Sequence, residues 1–424
     1  MKSMLGGTRI FVKNKNVPTV LNNTIMLYIL TFSNYIFGFI TIPYQTRVLG
    51  PEYFGKIGFA MAFVTYFQLI LDFGFILSAT AEVANNRNDK NKLSSIMTAV
   101  VLSKVVLIIV SIVILMIIFM IVPKFKEDAL LYILFFIYVA INSMLPDYLY
   151  RGLENMKIIT YRTVIIKLFF TIMVFVLLKD KSQYYYIPLL NIVGASGAVI
   201  IVYTHVFKQL KIGFTKITLL YIWETLKNSS YYFYSRIATS MYDATNTFIL
   251  GFVYPTGNIV GYFTSANKLI TTARGGFSPI ADSLYPYMIK NKNYKLIRNI
   301  LVISLPIITV GCIIVGIFAE FICTLLFGEE FRNAASILRL LLPLIVLALP
   351  NYLLGFPALT PLGLAKYANI STILGALIQI SGLVIMYVTG ILNIYTICIL
   401  TIITELSVLL IRITAIKQRH RLLA

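Results

Sequence analysis

The sequence predicts an all-α integral membrane protein of about twelve transmembrane helices in two six-helix halves. Three observations predict it. Of the 424 residues, 59% are hydrophobic and only 12% charged, where a soluble domain averages about 45–50% and about 25%. That balance excludes a water-soluble globule and any long disordered region. Apolar runs of the roughly 20 residues needed to cross a bilayer core recur along the whole chain. Basic residues gather in alternate connections between those runs, the pattern that sets membrane orientation.

The N-terminal segment is polar and basic (Lys2, Arg9, Lys13, Lys15). It is too long a lead for a removable signal peptide and lacks a small-residue cleavage site, so the first run is expected to act as an uncleaved insertion signal. Runs then follow at residues 21–42, 57–77, 96–122, 130–150, 158–178 and 185–207. After a polar stretch, six more follow at 231–253, 259–287, 300–327, 337–359, 368–388 and 392–413. Arg274, Gly275, Gly276 and Pro279 mark a break in the eighth run, of the kind membrane helices tolerate where neighbours or water satisfy the freed backbone.

Of the 36 Lys and Arg, 22 fall in the two tails and the connections after even-numbered runs, and seven in the other connections. Both termini are therefore expected in the cytoplasm. The net charge of +20 is explained by those loops, and no nucleic-acid partner is expected. The polar stretch 208–230 divides the chain into halves 1–207 and 231–424. Within it Leu219, Leu220, Ile222, Trp223 and Leu226 cluster on one side of a short predicted helix, which reads as an interfacial linker. The halves are faintly alike: Leu49-Gly50, Tyr53, Gly55, Ile57, Gly58, Phe59 in the first matches Leu250-Gly251, Tyr254, Gly257, Ile259, Gly261, Tyr262 in the second. Both halves start inside, so they read as parallel repeats about an axis along the membrane normal.

The remaining seven basic residues interrupt apolar runs: Lys104, Arg162, Lys167, Arg236, Lys268, Arg274 and Arg339. At about 2.5–3.5 kcal/mol each for a helix centre, lipid exposure of all seven would cost roughly 20 kcal/mol, more than a typical domain's stability of about 5–15 kcal/mol. Arg162 and Arg339 lie near run ends and are expected to snorkel. Arg236 fits either outcome. Lys104, Lys167 and Lys268 lie too deep to snorkel and are expected to line a cavity. Arg274 sits at the break, where irregular backbone itself implies one. The deep acids are Asp72, Asp243, Asp282 and Glu405. Interhelical ion pairs can neutralise part of the positive charge, but the bases outnumber the acids. Buried cations in surplus predict an anionic passenger, most simply phosphate or diphosphate.

Tyr66, Gln68, Asn142, Asn191, Asn246, Thr264, Ser265 and Asn267 also lie within runs. They suit either sugar contacts or ordinary interhelical hydrogen bonds. Cys312, Cys323 and Cys398 are scattered in apolar runs without disulfide or metal spacing. No G-x-x-x-x-G-K-[ST] loop is present. His205 and His420 both lie toward the cytoplasmic side, leaving no histidine in the core for acid–base catalysis.

Several segments carry a family resemblance. Arg47-Val48-Leu49-Gly50-Pro51-Glu52-Tyr53-Phe54-Gly55 closely resembles the loop after the first helix of Wzx-type polysaccharide flippases. Asp72-Phe73-Gly74-Phe75 with Ser78-Ala79-Thr80-Ala81-Glu82-Val83-Ala84 does likewise, as do Asn88-Asp89 with Lys92-Leu93-Ser94, the segment Arg151–Lys157, and Phe327-Gly328-Glu329-Glu330-Phe331. Together they spread over about three-quarters of the chain. The Wzx type belongs to the polysaccharide transporter family of the multidrug/oligosaccharidyl-lipid/polysaccharide exporter superfamily. The resemblance implies two six-helix lobes around a central cavity lined chiefly by helices 1, 2, 7 and 8. It implies a flippase, not an enzyme, that moves undecaprenyl-diphosphate-linked oligosaccharide, such as O-antigen repeat units, from the cytoplasmic to the periplasmic leaflet of the bacterial inner membrane. The polymerase and chain-length regulator are the implied protein partners, besides membrane lipids. Helix 1 carries no charge before Arg47, unlike that of lipid II flippases, so the diphosphate contacts must come from elsewhere.

The resulting expectation is alternating access. Lys104, Lys167, Arg236, Lys268 and Arg274 contact the substrate, and Asp72 and Asp243 couple the cycle to H⁺ or Na⁺, with no other cofactor or metal. The rival readings are a multidrug exporter of the same fold, which the basic surplus opposes, and a membrane-embedded O-antigen polymerase or ligase, which would carry a larger outward loop.

Overall fold

The computed structural model describes residues 17–254 and 257–423, without the side chains of 17–21, 234–243 and 419–423. Among the described residues it is all helix and turn, with no strand. The helices are α1 (Val17–Asp72), α2 (Phe75–Asn85), α3 (Lys90–Ile121), α4 (Lys124–Glu127), α5 (Ala129–Ser143), α6 (Asp147–Gly152), α7 (Met156–Leu177) and α8 (Tyr186–His205) in the first half. The second half holds α9 (Leu219–Val253), α10 (Asn258–Gly275), α11 (Ser278–Asn291), α12 (Tyr294–Ile317), α13 (Ala319–Phe327), α14 (Ala334–Leu341), α15 (Pro343–Leu353), α16 (Phe356–Leu359), α17 (Ala365–Val388) and α18 (Ile394–Leu423).

Nine stretches among the described residues are long and apolar enough to cross a membrane. The first, Asn22–Asn85, covers two of the expected runs, and the other eight cover one each. The two left over are the seventh and eighth. The seventh is described only in part, as the apolar helix Ala244–Val253. The eighth is broken where the sequence placed a break: α10 ends at Gly275, and α11 begins with Ser278-Pro279.

Gly50 reverses the chain inside α1. Its φ of 67° and ψ of 175° are non-helical, and a positive φ of this kind is open to glycine with little strain. Phe37 before it and Thr65 after it line one cavity; in an unbroken helix they would stand about 42 Å apart at 1.5 Å per residue. A second break, at Phe73 (φ 36°) and Gly74 (φ 78°), lets α2 lean on α9. A Cβ at Gly74 would lie 2.7 Å from the Ser229 carbonyl. Other helix starts are fixed by local capping. The Asp89 carboxylate accepts from the N–H groups of Asn91 and Lys92, each at 3.0 Å, and the Asn293 side-chain Oδ1 accepts from Leu296 N–H at 3.1 Å.

The interfacial linker is not a separate helix. Its apolar residues form the first turns of α9, which runs without interruption into the seventh run, because nothing between Leu219 and Val253 breaks the helix. Leu219 and Trp223 are 84% and 65% exposed, the environment an interfacial anchor presents to headgroups.

The packing differs between the two ends of the bundle. At the end carrying Gly50, Tyr254 and Gly328, one apolar core joins residues of both halves, including Phe59, Phe63, Phe125, Phe263, Phe327 and Phe331. At the other end the described buried residues divide into separate clusters, around Phe75, Met97 and Tyr150 in the first half and around Met288 and Leu353 in the second.

The two similar glycine segments meet face to face at the joined end. A Cβ on Gly55 would lie 2.7 Å from the Gly261 nitrogen, and one on Gly257 would lie 2.7 Å from the Glu52 carbonyl oxygen. Only backbone fits between them. Two basic side chains tie the same seam from outside. Lys124 donates to the carbonyls of Gly251 and, at 3.2 Å, Phe252 at the C-terminus of α9, where the helix dipole favours a cation. Arg47 donates to the Leu325 carbonyl in α13.

Candidate functional site

Behind that seam lies a cavity of about 610 Å³, within the roughly 300–1,000 Å³ range of small-molecule sites. Its wall comes from both limbs of α1 and from α5, α7 and α8 of the first half, together with Ala244, Thr247, Thr264 and Lys268 of α9 and α10. Aromatic residues in the lining include Phe37, Phe54, Phe170 and Tyr138. Polar residues interleaved with them on the same helix faces include Thr41, Gln45, Thr65, Asn142, Thr171 and Asn191. Among the described residues three cations reach it: Arg162, Lys167 and Lys268.

Lys167 and Lys268 are brought to one cavity wall, as their depth in the runs predicted. One projects from α7 in the first half and the other from α10 in the second, and both line the cavity. Among the described residues neither has a carboxylate within ion-pair distance. Lys268 is exposed although it lies mid-helix between two halves, as a side chain facing an internal space does.

The other sequence candidates are placed differently. Lys104 does not line the cavity. It is 5% exposed, donates to the Ser143 carbonyl, and lies over the rings of Phe75 and Tyr148 at 6.0 and 5.8 Å. Two aromatic faces and a carbonyl give the amine a packed site of its own. Arg274 is also absent from the lining: it forms an ion pair with Glu405 of α18. Asn351 donates to the same carboxylate at 2.8 Å, and Arg412 donates to the Asn351 carbonyl, to Ser371 at 2.9 Å and to Thr372 at 3.1 Å. This interhelical network takes up the guanidinium expected to meet substrate. The side chains of Arg236 and Asp243 lie outside the described residues. Asp72 closes α1 at its junction with α2, away from the cavity lining.

Two arginines were misjudged in the opposite sense. Arg162, expected to snorkel, turns inward and pairs with Asp147 through two bonds of 2.5 and 3.1 Å; its side chain is 8% exposed. A bidentate carboxylate outcompetes the headgroup level for a planar guanidinium. Helical spacing carried the signal, since Arg162, Thr163, Ile166, Lys167, Phe170 and Thr171 share one face of α7. Arg412, counted with the C-terminal tail, instead sits in the network around Asn351. Arg339 lies beside the end of α12, where it donates to the Gly316 carbonyl at 2.9 Å.

The uncharged polar candidates also divide. Asn142, Asn191 and Thr264 line the cavity. Tyr66 instead donates to Thr245 at 3.0 Å. Asn246 belongs to a buried cluster in which Gln379 donates to it at 2.7 Å and it donates to Thr401 at 3.0 Å. Gln45 and Thr41, 7% and 5% exposed, are cavity residues that sequence reading missed. Neither is charged, and no spacing distinguishes them from packing polar groups.

Comparison with known proteins agrees with this architecture. The family model described as polysaccharide biosynthesis protein matches residues 20–292. The chain is 28% identical over 341 residues to a protein of Escherichia coli (strain K12) named "Putative O-antigen transporter", covering 78% of this chain and 81% of that one. A Shigella dysenteriae protein of the same name is 27% identical over 363 residues, covering 84% and 90%. Among solved structures, lipid II flippase MurJ in an inward closed conformation superposes with a TM-score of 0.72 at 13% identity, covering 94% of this chain and 87% of that one. An inward-facing multidrug resistance MATE family transporter gives 0.65 at 15% identity, covering 91% and 94%. At those identities the two structures establish the fold alone, an all-α one. The protein is a multi-pass membrane protein, its named relatives are transporters rather than enzymes, and the chain belongs to the family of polysaccharide biosynthesis proteins.

Proposed function

We propose that this protein is a flippase for lipid-linked oligosaccharide, carrying an undecaprenyl-diphosphate-linked repeat unit such as O-antigen across the bacterial inner membrane by alternating access. The observation that carries the reading is the approach of Lys167 and Lys268 from opposite halves into one polar-lined cavity. Two ammonium groups on the wall of one cavity, with no carboxylate in ion-pair distance among the described residues, are a place for an anion. A diphosphate placed between them would accept charge-assisted hydrogen bonds from both. Arg162 is already neutralised by Asp147 and would orient rather than bind. The amide and hydroxyl side chains of Gln45, Asn142 and Asn191 would meet the first sugars, while the polyprenyl chain stays in lipid.

The positive-inside count puts both termini in the cytoplasm and the glycine seam at the periplasmic side. The structure described here would then be closed outward, and separation of Gly55 from Gly257 would open it. Coupling to H⁺ or Na⁺ through Asp72 and Asp243, and cooperation with a polymerase and chain-length regulator, complete the proposal. The fold is shared with multidrug exporters, but a cavity presenting two lysines disfavours cationic drugs.

The deciding experiment is translocation of a defined polyprenyl-diphosphate glycan into proteoliposomes. Wild type is expected to move it, and Lys167→Gln/Lys268→Gln at equal abundance is expected to fail. Equal transport by both proteins would overturn the reading.

A further inference from the structure

A second pocket lies on the opposite side of the second half. It is a groove of about 740 Å³ between α12, α14–α15 and α18, and it shares no lining residue with the central cavity. Ile313, Ile317 and Leu406 in its wall are 57%, 67% and 43% exposed, so the groove opens sideways to lipid. Its depth has a local cause. Gly316 has no side chain, so a Cβ there would come 3.2 Å from Leu342, and Pro343 starts a new helix where α14 ends. The groove follows α12 from Thr309 to Ile317, about 12 Å at 1.5 Å per residue. Half of a bilayer's roughly 30 Å hydrocarbon core is about 15 Å. One leaflet's acyl chain fits that length.

A basic group, Arg339, lines the groove beside the C-terminal end of α12. Arg339 donates through Nε to the Gly316 carbonyl at 2.9 Å. Arg339 and Arg332 share one carboxylate, Glu320, at 3.4 and 3.3 Å. Two guanidiniums on one carboxylate leave one positive charge, and among the described residues nothing accepts from Arg339 Nη1.

We propose that this groove seats one anionic phospholipid of the leaflet at the glycine-seam end, its acyl chain between α12, α15 and α18 and its phosphate on Arg339. An apolar slot of one leaflet's depth matches the chain, and the surplus charge matches a singly negative headgroup. The occupant is a resident lipid rather than the transported one, because the groove shares no lining residue with the cavity that holds Lys167 and Lys268.

The test is native mass spectrometry of the purified full chain, titrated in detergent with phosphatidylglycerol or phosphatidylcholine. Wild type is expected to retain one phosphatidylglycerol in preference to phosphatidylcholine. Arg339→Gln is expected to lose about tenfold of that preference, the worth of one charge-assisted contact, and Arg339→Lys to keep most of it. Gly316→Leu, which fills the groove, is expected to lose retention of both lipids. Equal retention of the two lipids by wild type, unchanged retention in Arg339→Gln, or displacement of phosphatidylglycerol by undecaprenyl phosphate would each overturn the proposal. Arg339 is partly exposed, so its variants read out even where Gly316→Leu fails to fold.

Discussion

Replacing Lys167 and Lys268 by glutamine should move substrate affinity and stability in opposite directions. Each lysine that holds a diphosphate oxygen contributes a charge-assisted hydrogen bond of about 1.5–3 kcal/mol, so each single variant should bind undecaprenyl diphosphate about 10- to 140-fold more weakly. Stability should not follow. Neither ammonium has an ion-pair partner among the described residues. Removing one cation therefore breaks no such pair and relieves part of an insertion cost of about 2.5–3.5 kcal/mol. The assay pairs ligand binding in nanodiscs with thermal unfolding of the same preparation without ligand. Weaker binding with an unchanged or raised unfolding midpoint supports the cavity reading. A fall in both would mean that the lysines serve packing, and the substrate argument built on them would fail.

Three other outcomes follow from the geometry. Glu405→Gln leaves the mostly buried Arg274 guanidinium without its carboxylate, and breaking such a pair costs about 3–5 kcal/mol; the unfolding midpoint should drop sharply, and Arg274→Met/Glu405→Met should recover much of the loss. Asp147→Asn should weaken packing between α6 and α7 and couple to Arg162→Met by about 1–3 kcal/mol in a double-mutant cycle, since the pair is bidentate; additive effects would remove Arg162 from the argument. Gly55→Val places side-chain atoms against the Gly257 carbonyl, an overpacking of about 1–3 kcal/mol. Hydrogen–deuterium exchange at residues 51–58 and 257–264 should therefore rise, and unchanged protection would show that the seam does not hold that end shut.

Much of the architecture was legible in the sequence because hydrophobicity and loop charge act on each run separately. The all-α membrane class, the position of the runs, the break before Pro279 and the likeness of the Gly55 and Gly257 segments all depend on residues close together in the chain. Depth along a helix was legible too, which is why Lys167 and Lys268 stood out as too deep to reach water by snorkelling. Partnership was not legible. Arg274 meets Glu405 across 131 residues, and Lys104 meets Ser143 across 39. A run's sequence states how far down a charge lies but not which neighbouring helix it faces. Only the packing of α1, α7 and α10 around one space brought two lysines to one cavity wall without a carboxylate partner among the described residues, while the remaining deep cations placed by the structure are held by carboxylates, carbonyls and aromatic faces. The physical reason is that burial cost is local to a side chain, whereas its compensation requires a second group brought near by the fold.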